Sequence, residues 1–323
     1  MHGSCCAKIC SRRAMGEIRV GTSSWTDPTL IQSGRFYPPS AKTAEARLHF
    51  YASNFSLVEV DSSYYGLPNE KTAGLWVERT PANFIFDIKT FRLFTQHPTP
   101  QVALPRDIKM ALPKEAATKS NLYLRDIPQE LVKELWRRFE SALLPLDSAG
   151  KLGVIMFQFP SWYYPGNEQR DYILSCKENL PQYRIAIEFR HNSWLNEKNR
   201  ERTIRFLADN NLPFVCVDEP QGFKSSVPPA AEVTSDISLV RFHGRNTETW
   251  EKKGISTVER FNYLYSDAEL NEWVPKIAGI SSKTRQTHVL FNNCYEDKAV
   301  VNARRMKQVL DSLPKDLGDT GGP

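Results

Sequence analysis

Ile185-Ala186-Ile187-Glu188-Phe189-Arg190-His191-Asn192-Ser193-Trp194 is the stretch that decides the fold. An apolar run breaks off into charge without the polar alternation of a half-exposed strand. A buried parallel strand reads this way where its carboxyl end opens onto a site. Six further runs end alike: LVEVDSS (57–63), FDIKT (86–90), VIMFQFP (154–160), PFVCVDEP (213–220), LVRFHGR (239–245) and VLFNN (289–293). Barrels and doubly wound sheets gather ligand groups at the carboxyl ends of their strands. The endings therefore nominate Glu59, Lys89, Gln158, Glu188, Arg190, Asp218, Arg241, His243 and Asn292 as neighbours.

With a run at 18–22, strand candidates fall at 18–22, 57–61, 84–89, 153–158, 184–189, 213–218, 238–243 and 287–292. Helical patterns lie between most of them, at 43–54, 70–78, 128–143, 168–179, 197–210, 266–278 and 297–310. Strand alternating with helix predicts a parallel sheet, and eight units predict closure into a single-domain (β/α)8 barrel of TIM type. Pro128 suits a first helical turn, and Ser266 with Glu269 forms a capping box. Long connections follow the third and seventh strands, at 90–124 and 244–265, where barrel enzymes place lids and specificity elements. The barrel domain is expected over 17–313, after a cysteine-rich leader over 1–16 and before a flexible Gly- and Pro-rich tail over 314–323.

Among the 323 residues, 41% are hydrophobic and 24% charged, which suits a globular chain with a sizeable core. The formal charge of +5 favours anionic ligands without requiring nucleic acid. The pairs Arg137-Arg138 and Arg304-Arg305 lie in helical patterns and read as solvated faces. No stretch approaches the ~20 apolar residues of a membrane span, and no signal peptide opens the chain, so the expected location is the cytoplasm. Six cysteines are present, but Cys5, Cys6 and Cys10 crowd the start while Cys176, Cys216 and Cys294 are scattered. They form neither a disulfide framework nor a zinc spacing.

Period-two alternation places Glu188 with Arg190, Arg241 with His243, and Glu59 with Asp61 on shared faces. In a closed barrel one face is the lumen, where unpaired charge is costly, so these groups are expected to pair or to serve a site. Carboxylates and an imidazole offer acid and base chemistry, and arginine holds carboxylate or phosphate. Glu59, Glu188, Asp218 and His243 are thus the catalytic candidates. Glu188, Asp218 and His243, from three consecutive strands, also form a candidate divalent-cation set whose oxygen content favours manganese or magnesium. A metal-free site is the competing reading, because Lys89, Arg190 and Arg241 bring positive charge. Tyr64 or Tyr65 can orient a hydroxyl-rich ligand, and Trp25, Trp194 and Trp250, all following strand ends, are candidates for an aromatic binding wall. A GxGxxG turn, a phosphate loop, an HExxH helix and a GxSxG elbow are all absent from the sequence.

GTSSW (21–25), VEVDSSYYGLP (58–68), FQFP (157–160), AIEFRHNSW (186–194), VRFHGR (240–245) and FNNCYEDKAVVNA (291–303) together resemble the YecE-like family, domain of unknown function 72. The resemblance runs from about Ile18 to Leu310 and implies a TIM-barrel-like fold with a loose relation to sugar isomerases. It carries over Trp25, Glu59, Tyr65, Lys89, Gln158, Glu188, Arg190, His191, Trp194, Asp218, Arg241, His243, Arg245, Asn292 and Asn293. The chain departs from the family pattern at Ser24, where glycine is common, and at Asp61, where asparagine is common. Two functions are expected of such a mouth. The first is a sugar isomerase- or epimerase-like enzyme acting on a small, polyhydroxylated, anionic substrate. The second is a nucleic-acid or nucleotide binding protein that uses the same basic and aromatic groups.

Overall fold

Every residue of Leu57–Val60, Ile185–Glu188, Val215–Asp218 and Ile237–Phe242 is buried, so these strands have cover on both faces. That is the burial of a parallel sheet sheathed by helices. The computed structural model describes residues 15–313. Its main strands are β1 (Glu17–Thr22), β2 (Leu57–Val60), β3 (Ile85–Lys89), β4 (Leu152–Gln158), β5 (Ile185–Glu188), β6 (Val215–Asp218), β7 (Ile237–Phe242) and β8 (Gln286–Phe291). All pair in parallel, in the spatial order β5-β4-β3-β2-β1-β8-β7-β6. The ends of that row meet at one bridge, Ile187 to Phe214, where the Ile187 amide donates to the Pro213 carbonyl at 2.8 Å. The result is a nearly closed TIM-barrel-like sheet whose seam lies between β5 and β6.

The main helices are α1 (Ala44–Asn54), α2 (Glu70–Glu78), α3 (Gln129–Ser148), α4 (Asn167–Glu178), α5 (Arg200–Asp209), α6 (Asp267–Ser281) and α7 (Lys298–Asp311). Each follows a barrel strand except in the sixth unit, where residues 219–236 run from β6 to β7 without a helix. Along α3, Leu135, Trp136, Phe139, Leu143 and Leu146 are buried at helical spacing, which fixes the face turned to the sheet. The box at Ser266 and Glu269 opens α6, whereas Pro128 stands one residue before α3, at its cap. Arg137 and Arg138 pair with Glu134, Arg138 also with Asp107, and Arg305 with Asp267, the solvated faces expected of them.

Both long connections are present. The one after β3 is pinned by a two-residue antiparallel ribbon, Thr99–Pro100 with Asn121–Leu122. The one after β7 starts at Gly244, where two constraints require glycine: φ is +90°, and a Cβ would stand only 2.7 Å from Tyr263 Cβ. Residues 1–14 and 314–323, and with them most of the expected leader and the tail, lie outside the described residues. Among the described residues, no helix is long and apolar enough to cross a membrane.

Candidate functional site

Arg241, on β7, is fully buried and binds carboxylates from two other strands. Its Nε and Nη2 donate to the two oxygens of Glu59, on β2, at 2.9 and 2.8 Å. Its Nη1 donates to Oε2 of Glu188, on β5. Oε1 of Glu188 accepts from Gln158 Nε2 at 2.6 Å and faces His243 Nε2 at 3.0 Å. Asn292 Nδ2 lies 2.9 Å from His243 Nδ1. An amide nitrogen can only donate, so Nδ1 accepts and the proton of His243 sits on Nε2, aimed at Glu188. Alternation thus brings Glu59, Glu188, Arg241 and His243 into one interior layer, as the sequence predicts. Asp87, the register partner of Glu59 on β3, forms a second buried pair with His288 at 2.8 Å.

The two carboxylates diverge electrostatically although they share Arg241. Burial opposes ionisation of Glu188, but Arg241, His243 and Arg190 hold it well below the usual carboxylate range. Glu59 has fewer partners, and burial pushes it upward against the pull of Arg241 and Lys89. Burial pushes His243 down to about 3, so at neutral pH it is an uncharged imidazole with both nitrogens engaged.

Above this layer opens a cavity of about 720 Å³. Gln158, Arg190 and Asn292 border both the buried layer and the cavity, with Lys89, Asp61, Tyr64, Tyr65 and Trp250 around them. Ser63, in the turn after β2, donates to the backbone carbonyl of Lys89 at 2.5 Å and so ties that turn to the end of β3. Tyr64 then lies beneath two cations, 4.6 Å from Lys89 Nζ and 5.2 Å from the Arg92 guanidinium. Arg190 sits 4.7 Å over the Trp250 ring, and its nearest carboxylate oxygens, on Glu219 and Glu188, are 3.4 and 3.6 Å away. Burial pushes Asp61 up to about 6, partly offset by Lys89. Lys89 is lowered by burial and by Arg241, against the pull of Glu59, Glu188 and Asp61.

Not every expected residue reaches this place. Glu59, Glu188 and His243 are fully buried beneath the cavity rather than bordering it. Asp218 points the other way, into the strand–helix layer, where Trp273 Nε1 donates to it at 2.6 Å, Tyr265 Oη at 2.7 Å and Arg245 Nη2 at 2.8 Å. The acid turned toward Arg190 is its neighbour Glu219, which burial pushes up to about 8. Arg245 spends its charge on Asp218 and Glu272. Trp194 is core, stacked on Phe189 and Tyr163, and Trp25 is core against Trp76 and Phe86. Of the three tryptophans only Trp250 lines the cavity. His191 caps a short turn through Ser193, and Asn293 binds Asn302.

The cavity adds Arg92, His97 and Trp162, which alternation does not select because the loops after β3 and β4 carry them. His97 Nδ1 lies 2.8 Å from Thr95 Oγ1, its ring meets Tyr64 and Trp162 edge-on, and burial, with Lys89 and Arg92, pushes it down to about 3. The HPTP segment containing His97 signals only a loop.

The cation set of Glu188, Asp218 and His243 does not assemble, because Asp218 is turned away and engaged by three donors. Among the described residues no three His, Cys, Asp or Glu side chains are grouped to hold a metal ion. The donors that do converge on Glu188 are cationic or neutral, an arrangement suited to holding a carboxylate without a metal.

The same barrel is found in solved structures. A DUF72 family protein of Enterococcus faecalis V583 aligns over 95% of this chain and 100% of its own, at 27% identity and a TM-score of 0.73. One from Thermotoga maritima MSB8 aligns over 92% and 100%, at 27% identity and 0.69. The UPF0759 protein YunF of Bacillus subtilis (strain 168) is 31% identical over 300 residues, 91% of this chain and 95% of that protein. The motif resemblance thus extends to whole-chain similarity, and with a family model matching residues 19–321 the chain belongs to the family described as protein of unknown function DUF72.

Proposed function

We propose that this chain is an enzyme that binds a small, polyhydroxylated, anionic substrate in the cavity above Arg241 and moves protons on it, in the manner of a sugar isomerase or epimerase. One observation carries the reading. Lys89, Arg92 and Arg190 border one cavity; Lys89 and Arg92 make no ion pair with a carboxylate among the described residues, and Arg190 is loosely paired, 3.4 and 3.6 Å from Glu219 and Glu188. Two open cations and a third that is loosely paired suit an anionic group in a partly buried cavity, and the Tyr64 and Trp250 faces suit the apolar face of a sugar ring. Gln158 and Asn292 offer polar contacts to hydroxyls at the floor.

The roles divide by depth. Glu188, Glu59, Arg241 and His243 act from below, by fixing Gln158 and Asn292 and by setting the potential under the substrate. Asp61 and Lys89 face the cavity, where burial raises the proton affinity of the acid and lowers that of the amine, an arrangement that suits one group to give and the other to take a proton. Negative charge developing on a substrate oxygen would meet Lys89 and Arg190.

Thermal shift and calorimetry with sugars, sugar phosphates, nucleotides and short single-stranded oligonucleotides test this reading. A sugar phosphate should raise the melting temperature, and Arg190→Met should abolish that rise. Binding confined to oligonucleotides, with affinity falling steeply as salt increases, would instead make this a nucleic-acid site. Binding of none of these probes would remove the proposal.

A further inference from the structure

Lys89 differs from Lys151, the buried lysine among the described residues. Lys151 is 4% exposed and its ammonium donates to the Val77 carbonyl at 2.7 Å and to Thr80 O and Oγ1 at 2.8 and 3.0 Å. All three of its protons are therefore placed. Lys89 Nζ has no hydrogen-bond acceptor and no carboxylate within 4.0 Å among the described residues, and it faces the cavity with only the Tyr64 ring at 4.6 Å. A structural lysine this close to Glu59 and Glu188 would be expected to reach one of them, but Arg241 already occupies both carboxylates.

We infer that Lys89 is a nucleophile, its amine condensing with the carbonyl carbon of a phosphorylated aldose or ketose to form an imine over Tyr64. The inference rests on the proposed reading of the cavity as a site for anionic carbohydrates, and it narrows the substrate to one that presents a carbonyl. Burial and the neighbouring Arg241 both favour the uncharged amine, the form that carries a lone pair. That pair forms the carbon–nitrogen bond, and the carbonyl π pair moves to oxygen, which takes a proton. The resulting hydroxyl leaves as water after a second protonation, for which Asp61 is the carboxyl at the cavity, and the nitrogen gives up both of its protons, one before and one after the water departs. The sum is amine plus carbonyl giving imine plus water, with no oxidant or reductant. Arg92 and Arg190 remain to hold the phosphate, and His97, Glu59 and Glu188 complete the titratable groups around the amine.

Reductive trapping tests this directly. The full chain is incubated with glyceraldehyde 3-phosphate or dihydroxyacetone phosphate and sodium cyanoborohydride, digested and mapped by mass spectrometry. Reduction of the imine should leave Lys89 heavier by the probe less one oxygen atom. Labelling at Lys89 should exceed that of any surface lysine, because an amine whose proton affinity is lowered by burial is uncharged in a larger fraction of molecules. Lys89→Arg should lose the adduct. Binding of both probes is measured in parallel by calorimetry without reductant. Probes that bind while labelling is spread over surface lysines, or misses Lys89, would overturn the imine and leave the carbohydrate reading standing. Probes that do not bind at all, across the wider sugar phosphate panel as well, would overturn both. If Lys89→Arg fails to fold, the wild-type peptide map decides the matter alone.

Discussion

Arg241 and Glu59 are joined by two parallel hydrogen bonds, 2.8 and 2.9 Å long, across the barrel interior, and neither side chain is exposed to solvent. A buried ion pair of this kind contributes less by its presence than its disruption costs. The desolvation of each charge is already complete, and removing one partner strands the other. Arg241 leaves two carboxylates stranded, because Glu188 shares it.

Arg241→Met is therefore expected to lower unfolding stability by about 3–5 kcal/mol, and Glu59→Gln by less, since its loss leaves Arg241 paired to Glu188. The double variant should be more stable than the sum of the single losses predicts, because the charge stranded in one is neutralised in the other. Urea unfolding of the four proteins measures this coupling. Strict additivity would show that the two residues do not act as a pair.

Asp61 links the cavity to stability with the opposite sign. Its folded-state value of about 6 stands above the ordinary 3.8, because burial disfavours its charge. Below the ordinary value both folded and unfolded chains hold the proton, and Asp61 contributes nothing. As pH rises past it, the unfolded chain ionises first, so wild-type stability falls until the folded value is passed. Asp61→Asn removes this penalty and should be more stable than wild type by about 1–3 kcal/mol at neutral pH, with the gap closing toward pH 4. Denaturation at several pH values reads the gap, and activity should fall in the same variant, the trade-off expected of a functional group held against its preference. A pH-independent gap would place Asp61 outside this linkage.

His97 carries the complementary dependence. Burial first, then Lys89, Arg92 and Arg190, lower it from 6.5 to about 3. At neutral pH it is uncharged in both states, but between these two values only the unfolded chain takes the proton, so acid destabilises the fold. His97→Gln should be closest to, or below, wild type at pH 7.5 and gain on it by about 1–3 kcal/mol as pH falls toward 4. Stability curves of both proteins that run parallel across this window would refute the assignment.

The fold and the buried ion-pair layer were legible because both are written in period two. Once Glu59, Glu188, Arg241 and His243 fall on strand ends with fixed alternation, only the lumen can hold them together. β6 shows where that reasoning stops. Asp218 and Glu219 are adjacent acids, and which one faces Arg190 depends on the phase of a strand joined to β5 by a single bridge. The Trp273 indole, supplied by a helix about 55 residues further on, claims Asp218. His97 and Arg92 were not legible for another reason: they reach the cavity on a loop held to the DSSYY turn, where the Arg92 amide donates to the Tyr64 carbonyl at 3.1 Å. No local periodicity encodes such a contact.

Trp194 and Trp250 are the sharpest contrast between sequence position and role. Both follow strand ends, yet a short turn tucks Trp194 between Phe189 and Tyr163, where its indole donates to the Tyr163 carbonyl at 2.5 Å. Trp250 faces the cavity, packed against the Arg190 guanidinium at 4.7 Å. Trp194→Ala should cost about 3–5 kcal/mol of stability, since it empties a fully buried aromatic site. Where that variant still folds, its ligand affinity should be close to wild type. Trp250→Ala should weaken ligand binding more than its own loss of stability explains, because it removes one wall and frees Arg190 from its stacked position. Calorimetric titration with a sugar phosphate that binds the wild-type protein, alongside urea unfolding of both variants, separates the two effects. Unchanged affinity in Trp250→Ala would remove this wall from the site.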